Sequence, residues 1–377
     1  MKNPIIYLDN AATTKIDDRV LAEMMPYLTN QYGNASSMHQ LGSEAREAVE
    51  SARDKCAKIL NCSPDEIIFT SGGTESDYLA LVGVMSDESK RSELIVSQIE
   101  HPAVLSTAEN LLKRGFTVKY LPATAEGIVE VSTLVNTISD KTKFVSVMYA
   151  NNEVGSVQPI TDLATISHQS GAIFHTDACQ AAGYLNLDVK KLGVDLLTLN
   201  GSKIYGPKGV GLLYVKNEVD FSPVMTGGGQ ENHRRGGTEN VAGIVGLAKA
   251  LEIAQANCQT ESKCISGLHD QLKDQLLKMP NTLVVGSESN HVPHILNIKF
   301  ADVDAQNLIH ALDQRRICVS AGSACSATST DPSHVLLAMG ISYQDAFTCI
   351  RFSLGRFNTS DEIKKVAESI KSILKLD

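Results

Sequence analysis

A lysine and an acid, each at the end of an apolar run, suggest covalent chemistry in this chain. Asp177 ends the run AIFHTD, and Lys203 follows the run DLLTLN in the segment NGSKIYGPKGVG. Partial burial lowers the pKa of a lysine and makes its amine able to form an imine, whereas Lys208, in a Gly-Pro-Lys-Gly turn, is expected to be solvated. A buried carboxylate needs a partner, and a cationic ring nitrogen is one. We therefore interpret Lys203 as the Schiff-base lysine of pyridoxal phosphate (PLP) and Asp177 as the partner of the ring nitrogen.

A glycine pair in SGGTESD (71–77) follows the strand-like run IIFT and opens a helical segment. The first N–H groups of a helix have no partner within the helix, and they attract phosphate. Gly73 lets the backbone approach an anion, and Thr74 adds a hydroxyl. A glycine turn that only caps the helix is the alternative.

Three polar residues follow further strand-like runs. His101, in IEHPAV, could stack on a flat ring and transfer protons, or it could be only a polar helix cap. Asn152, in NNEVG, could bind a ring hydroxyl or a substrate carboxylate, or belong to a simple turn. Gln180 lies three residues after Asp177 on the same face of a helical turn. The order of these groups along the chain predicts a PLP site.

One cysteine lies in a segment of small and polar residues. AGSACSATSTDPS (321–333) has no large apolar side chain, so we expect a flexible loop that carries Cys325. An exposed thiol is a liability unless it is used, which favours a nucleophile over an incidental thiol in a linker. No two cysteines form a CxxC pair, so we expect no metal site.

Arg351 lies in the apolar run CIRFSLGRF, close to Arg356. A buried arginine needs an anion, and the bidentate guanidinium suits a substrate α-carboxylate. An internal salt bridge is the alternative interpretation.

The pattern of apolar runs predicts an α/β fold. Strand-like and helix-like segments alternate from about 43 to 258, which indicates a largely parallel central sheet. The later part begins with a predicted long helix (259–279) and indicates a smaller α+β domain. A last helix is predicted at 360–375, with Ser360 as its cap. The predicted domains are a large domain (15–258) and a small domain (1–14 and 259–377).

The composition favours an ordinary enzyme. The 377 residues carry a net charge of −9 without a dense basic block, so direct nucleic acid binding is not expected. No apolar run approaches the length of a membrane span. The segment MKNPIIYLDNAATT lacks a signal-peptide core, and we expect a cytoplasmic protein.

Taken in order, these motifs resemble the NifS-like cysteine desulfurases of class V of the PLP-dependent aminotransferases, which have fold type I. The matching segments are YLDNAATT (7–14), GNASSMH (33–39), TSGGTESD, EHPAV, NNEVG, HTDACQAAG, KIYGPKGVG, GGGQENHRRGGTEN (227–240), GSAC (322–325) and RFSLGR (351–356). The long cysteine loop resembles that of the first of the two desulfurase classes. Ser202 differs from the family, which usually has a histidine there.

The resemblance implies a role for each site residue. Lys203 would hold PLP, His101 would stack on the ring as acid and base, and Cys325 would take sulfur from L-cysteine as a persulfide, leaving alanine. Arg351 would bind the substrate carboxylate. The remaining implied contacts are Asp177 with the ring nitrogen, Gln180 and Asn152 with the ring oxygen (Asn152 also with substrate), Gly73, Thr74, Asn200 and Ser202 with phosphate, and Thr238 with the phosphate of the other subunit of a homodimer.

The implied function is L-cysteine desulfurase activity that supplies a protein acceptor of unknown identity, in iron–sulfur cluster assembly or another thiolation pathway. A selenocysteine lyase or an aminotransferase is one alternative, although an aminotransferase has no need of Cys325. A sulfur-relay or scaffold subunit without catalysis is another, and the intact set of Lys203, Asp177 and His101 argues against it.

Overall fold

The structure is a computed structural model that describes residues 4–86, 91–322 and 331–376. Its strands are β1 (Ile6–Tyr7), β2 (Ile67–Thr70), β3 (Glu93–Ser97), β4 (Thr117–Leu121), β5 (Thr142–Ser146), β6 (Ile173–Asp177), β7 (Leu196–Asn200), β8 (Gly211–Val215), β9 (Thr282–Val285), β10 (Ile295–Phe300), β11 (Ile317–Cys318) and β12 (Cys349–Ser353).

The α-helices are α1 (Asp18–Thr29), α2 (Gln40–Leu60), α3 (Gly73–Met85), α4 (Pro102–Lys113), α5 (Val131–Thr137), α6 (Ile160–Gln169), α7 (Val189–Leu192), α8 (Val241–Leu276), α9 (Ala305–Gln314), α10 (His334–Ala338), α11 (Tyr343–Ala346) and α12 (Ser360–Leu374). Short 3-10 helices lie at Pro64–Glu66, Gly201–Lys203 and Gln230–His233. Among the described residues, no helix combines the length and the apolar character needed to cross a membrane.

The central sheet has seven strands in the order β2-β8-β7-β6-β5-β3-β4. The strands from β7 to β4 are parallel, and β8 is antiparallel to both of its neighbours. Every residue of β3 and β5 is buried, as expected for parallel strands covered by helices on both faces. The predicted α/β fold with a largely parallel sheet is therefore confirmed.

Two apolar cores cover the two faces of this sheet. Phe144 packs into one core with Leu94, while its neighbour Val145 packs into the other with Phe174. Successive side chains of a strand point to opposite faces, which explains the division. The continuous apolar runs in the sequence thus reflect burial on both sides.

A second, antiparallel sheet has the order β12-β10-β9, and β1 pairs with β11 in a two-stranded parallel ribbon. Residues from the N-terminal segment, including Ile6 and Leu8, share a third core with Phe352 and with Ile363 of α12. This arrangement is compatible with a small domain formed by both ends of the chain. The division at 14 and 258 remains a prediction.

Helix α8 differs from the prediction of a helix at 259–279. It begins at Val241, after Asn240 caps its first turn by accepting a hydrogen bond from the Gly243 N–H. Its first half packs Leu247 into the core of the central sheet, and its second half packs Leu272 into the core of the smaller sheet. One helix therefore crosses the predicted boundary at 258.

The cap of α12 also differs from the prediction. Thr359, rather than Ser360, accepts the N–H of Glu362, and the Glu362 carboxylate accepts the N–H of Thr359. This reciprocal pair is a capping box, and it satisfies two N–H groups that the helix itself leaves unpaired.

Candidate active site

A cavity of about 190 Å³ lies where the carboxyl ends of β6 and β7 meet the N-terminus of α3. In sheets of this kind, ligands bind outside the carboxyl ends of the strands. The lining residues are Ala11, Ala12, Gly73, Thr74, Asp77, His101, Met148, Ala150, Asn152, Asp177, Cys179, Gln180, Asn200, Lys203 and Arg351.

The cavity brings together nine of the predicted site residues. They are Gly73, Thr74, His101, Asn152, Asp177, Gln180, Asn200, Lys203 and Arg351. Within the described part of the chain, Ser202 and Thr238 are not among the lining residues. Cys325 lies outside the described residues.

Lys203 ends the 3-10 turn Gly201–Lys203 that directly follows β7. Its side chain is half-buried, and its Nζ donates to the carbonyl oxygens of Ala11 (2.9 Å) and Ala12 (2.6 Å). Lys208, five residues later, is exposed. The turn therefore directs Lys203, and not Lys208, into the cavity.

Two buried acids, Asp77 and Asp177, line the cavity. Asp177 is 6% exposed and accepts the N–H of Cys179 at 2.9 Å. Asp77 of α3 is 1% exposed, and burial together with the charge of Asp177 raises the pKa of Asp77 well above its usual range. Among the described residues, Oδ1 of Asp77 has no hydrogen-bond partner. Such a pair calls for a positive charge, and the cationic ring nitrogen of PLP can supply it.

Asp77 was not predicted as a site residue. The available signal was an acid directly before the apolar helical run YLALVGV (78–84). A charged residue on a buried helix face is costly unless it has a function.

The N-terminus of α3 forms a cradle suited to an anion. Gly72 precedes the helix with a φ of 151°, a conformation that L side chains rarely adopt. A Cβ atom added to Gly73 would lie 3.1 Å from Cys179 Sγ and 3.5 Å from Asn200 Nδ2. Glycine thus keeps space open beside the helix N-terminus, where backbone N–H groups and the helix dipole favour phosphate. The residues present therefore fit PLP at both its ring and its phosphate.

His101 lines the cavity and also caps α4. Its Nδ1 accepts the N–H of Ala103 at 3.1 Å, so the neutral ring carries its proton on Nε2. Burial is the main reason that the pKa of His101 is lowered, and the nearby Lys203 lowers it further, whereas Asp177 raises it. The side chain of His101 therefore both caps a helix and lines the cavity.

Three amides shape the remaining wall. Gln180 donates from Nε2 to the Ala11 carbonyl at 2.9 Å. Asn200 accepts at Oδ1 from both the N–H and the hydroxyl of Ser202, each at 3.1 Å. Asn152 is buried, and its backbone carbonyl accepts from Arg351. The hydroxyl of Ser202 is thus engaged beside the cradle.

Arg351 lies on β12 at the other side of the cavity and is 1% exposed. Its guanidinium donates to the Asp9 carboxylate at 2.8 Å and to the Asn152 carbonyl at 2.8 Å. Its Nε has no hydrogen-bond partner within residues 4–86, 91–322 and 331–376. Arg351 therefore both forms the internal salt bridge and lines the cavity. Arg356, by contrast, is paired with Asp17 and Glu261.

The thiol of the buried Cys179 belongs to the cavity wall. Burial and the charges of Asp177 and Asp77 raise the pKa of this thiol well above its usual range. A protonated thiol is a poor nucleophile. Cys179 therefore contributes shape to the cavity rather than a reactive sulfur.

Comparisons with known proteins agree with this geometry. Residues 6–366 match the family described as aminotransferase class-V. Cysteine desulfurase IscS of Methanosarcina thermophila is 42% identical over 374 residues, which cover 99% of this chain and 93% of that protein.

Two solved structures are also similar. A NifS-like protein has a TM-score of 0.94 and 37% identity, covering 99% of this chain and 100% of its own. SspA in complex with cysteine has a TM-score of 0.84 and 34% identity, covering 94% of this chain and 100% of its own. The predicted family, fold, cofactor and activity are confirmed: this chain belongs to the class-V aminotransferase family, and it is a PLP-dependent cysteine desulfurase.

Proposed function

We propose that this chain works as a cytoplasmic homodimer that moves the sulfur of L-cysteine onto Cys325 and from there to an acceptor protein. The observation that carries the proposal is the convergence of Lys203, Asp177, His101 and Arg351 on one cavity. An amine, an acid, an imidazole and a guanidinium there match the needs of a carbonyl cofactor and an amino acid substrate.

In this proposal each residue has one task around the cofactor. PLP, when bound, supplies an electron sink for charge that develops on the substrate. Lys203 would hold it covalently, and Asp177 would hold the proton on its ring nitrogen. Gly73 and Thr74, at the start of α3, would bind the phosphate through backbone N–H groups and a hydroxyl.

Substrate binding and proton transfer fall to the opposite wall. The substrate carboxylate would replace Asp9 as a partner of Arg351, because the guanidinium offers a planar pair of donors that suits a carboxylate. Asn152 would add a hydrogen bond. His101 would exchange a proton at Nε2, the ring nitrogen that does not cap α4.

The sulfur step would take place at Cys325. Its thiolate attacks the sulfur of the bound substrate, an S–S bond forms, and the C–S bond of the substrate breaks. The electron pair of the C–S bond stays with the carbon, which takes a proton and leaves as L-alanine. L-Cysteine and a thiol thus become L-alanine and a persulfide, with no added oxidant or reductant.

A second subunit would complete the phosphate site. Thr238 lies on an exposed loop before α8 and outside the cavity of its own chain. A two-fold dimer places equivalent surfaces against each other, and the exposed Thr238 would then reach the phosphate bound by the other subunit.

The persulfide on Cys325 would pass its sulfur to an acceptor protein. A persulfide can be passed to any thiol that reaches it, so the chain could supply iron–sulfur cluster assembly or another thiolation pathway. The acceptor would be a protein, and its identity is best found by capture with persulfide-loaded enzyme.

Mass spectrometry after treatment with L-cysteine tests the sulfur step. We expect one added sulfur atom on Cys325 and release of alanine. Cys325→Ser should still bind PLP but form no persulfide and release no alanine. Cys264→Ser removes an exposed thiol of α8 and serves as the control; it should behave as the parent. Added sulfur found mainly on another cysteine would overturn the assignment of Cys325.

A further inference from the structure

We propose that His294 is a positioning residue that fixes the orientation of the Gln180 amide, so that an N–H of Gln180 faces the cofactor. The inference rests on the proposed function, in which Gln180 contacts the ring oxygen of PLP. His294 does not line the cavity itself. It acts on the site only through Gln180.

The geometry links His294 to the cavity in one step. His294 is 3% exposed, and its Nε2 lies 3.1 Å from Oε1 of Gln180. Gln180 is 6% exposed and donates from Nε2 to the carbonyl of Ala11. The same carbonyl accepts from Nζ of Lys203. His294, Gln180 and Lys203 therefore belong to one hydrogen-bonded chain.

The protonation state of His294 follows from its surroundings. Burial and the positive charge of Arg351 lower the pKa of His294 to about 3, so the ring is neutral at physiological pH. Among the residues that the structure describes, Nδ1 of His294 has no partner. A neutral histidine has one N–H donor. That donor belongs on Nε2, where it meets the amide oxygen of Gln180.

The ring of His294 is held in place by stacking. It lies against the ring of Tyr184 with a centroid distance of 4.0 Å and an interplanar angle of 14°. Tyr184 is itself held by a side-chain hydrogen bond to Tyr205, which, after burial, contributes to the raised pKa of Tyr184. Tyr205 accepts the N–H of Arg356 at 2.8 Å. The plane of His294 is thus determined by packed neighbours rather than by the ligand.

A fixed histidine donor decides which end of Gln180 faces each neighbour. The amide oxygen accepts from His294, so the amide nitrogen points to Ala11 and the cavity. The nitrogen has two hydrogens, and one is bound by the Ala11 carbonyl. The other is available to an acceptor in the cavity, such as the ring oxygen of PLP. A reversed amide would present an oxygen and repel that acceptor.

The test compares two replacements of His294 in the PLP-loaded protein. His294→Phe keeps an aromatic ring for the stack but removes the donor, whereas His294→Gln removes the ring but keeps an amide donor within reach. The readouts are the pH titration of the visible absorption of bound PLP and the rate of PLP release. His269→Phe is the control, because His269 is also buried and also stacks on another ring, that of His291, but its hydrogen-bond partner is Asp270 rather than Gln180.

We expect Gln180→Leu and His294→Phe to shift the titration midpoint in the same direction by roughly 0.5–1 pH unit and to speed PLP release roughly three- to tenfold. His294→Gln should stay close to the parent, and His269→Phe should leave both readouts unchanged. Adding His294→Phe to Gln180→Leu should produce no further shift, because the two residues act as one unit.

The contrary results distinguish a failure of the Gln180 contact from a failure of the His294 role. If Gln180→Leu leaves the titration unchanged, the proposed contact between Gln180 and the cofactor is wrong. If Gln180→Leu shifts the midpoint but His294→Phe does not, the positioning role of His294 is wrong. If His294→Phe fails to fold, His294→Leu replaces it. A shift of the titration midpoint in His294→Gln as large as that in Gln180→Leu would also refute the positioning role of His294.

Discussion

His101 has a structural role as a helix cap and a proposed chemical role as an acid/base group. Two different substitutions can separate these roles. Its Nδ1 caps α4 by accepting the Ala103 N–H at 3.1 Å, while its other edge faces the cavity. His101→Ala removes both contributions. His101→Asn keeps a cap, since asparagine is among the preferred N-cap residues, but it removes the imidazole.

The two effects differ in size and in kind. Loss of the cap in His101→Ala should cost about 1 kcal/mol of unfolding free energy. Loss of an acid/base group should lower the rate by roughly 10²–10⁴-fold. We therefore expect both variants to lose activity by a similar factor, and only the alanine variant to lose stability. PLP should remain bound in both because Lys203 and the phosphate cradle are unchanged.

The measurements are the urea dependence of unfolding and the rate of alanine release from L-cysteine. Both are made with PLP-loaded protein at one pH near neutrality. If His101→Asn restores the rate to within about threefold of the parent, the ring is only a helix cap and the acid/base role is refuted. If the two variants are equally stable, the cap contributes nothing measurable.

Three further predictions concern the surrounding residues. Lys203→Ala should abolish turnover and the visible absorption of PLP together, and Lys208→Ala should preserve both; activity in the first variant would sink the PLP assignment. Burial raises the pKa of Glu100 to about 8, so the folded protein keeps a proton that the unfolded chain releases above a pH of about 4. Stability should therefore fall as pH rises towards 8, and Glu100→Gln should remove that part of the slope in urea unfolding at several pH values; an unchanged slope would contradict it. Ser202→Ala should weaken PLP retention after dialysis by about 1–2 kcal/mol, and retention equal to the parent would leave its hydroxyl as a partner of Asn200 alone.

The sequence alone was sufficient for much of the fold and for most of the cavity wall. Long apolar runs separated by helical stripes predicted the parallel sheet, because strands buried on both faces need continuous apolar residues. Asp177 could be selected because it ends such a run, and Lys203 because it lies in the short turn after one. The start of α8 was missed although Asn240 is a polar cap directly before Val241, because Gly243 and Gly246 in the first turns lower the helix propensity of this segment.

Local motifs therefore determined which residue types could do chemistry and near which strand end they lie, since a turn is encoded by its neighbours in the chain. Only the tertiary structure decided which distant residues share the site. Ala11 meets Lys203 and Gln180 from the N-terminal segment, Asp77 comes to line the same wall as Asp177, and His294 meets Gln180 across 114 residues of sequence. Strand order and helix packing set these contacts, and their hydrogen bonds depend on burial that no local pattern reports.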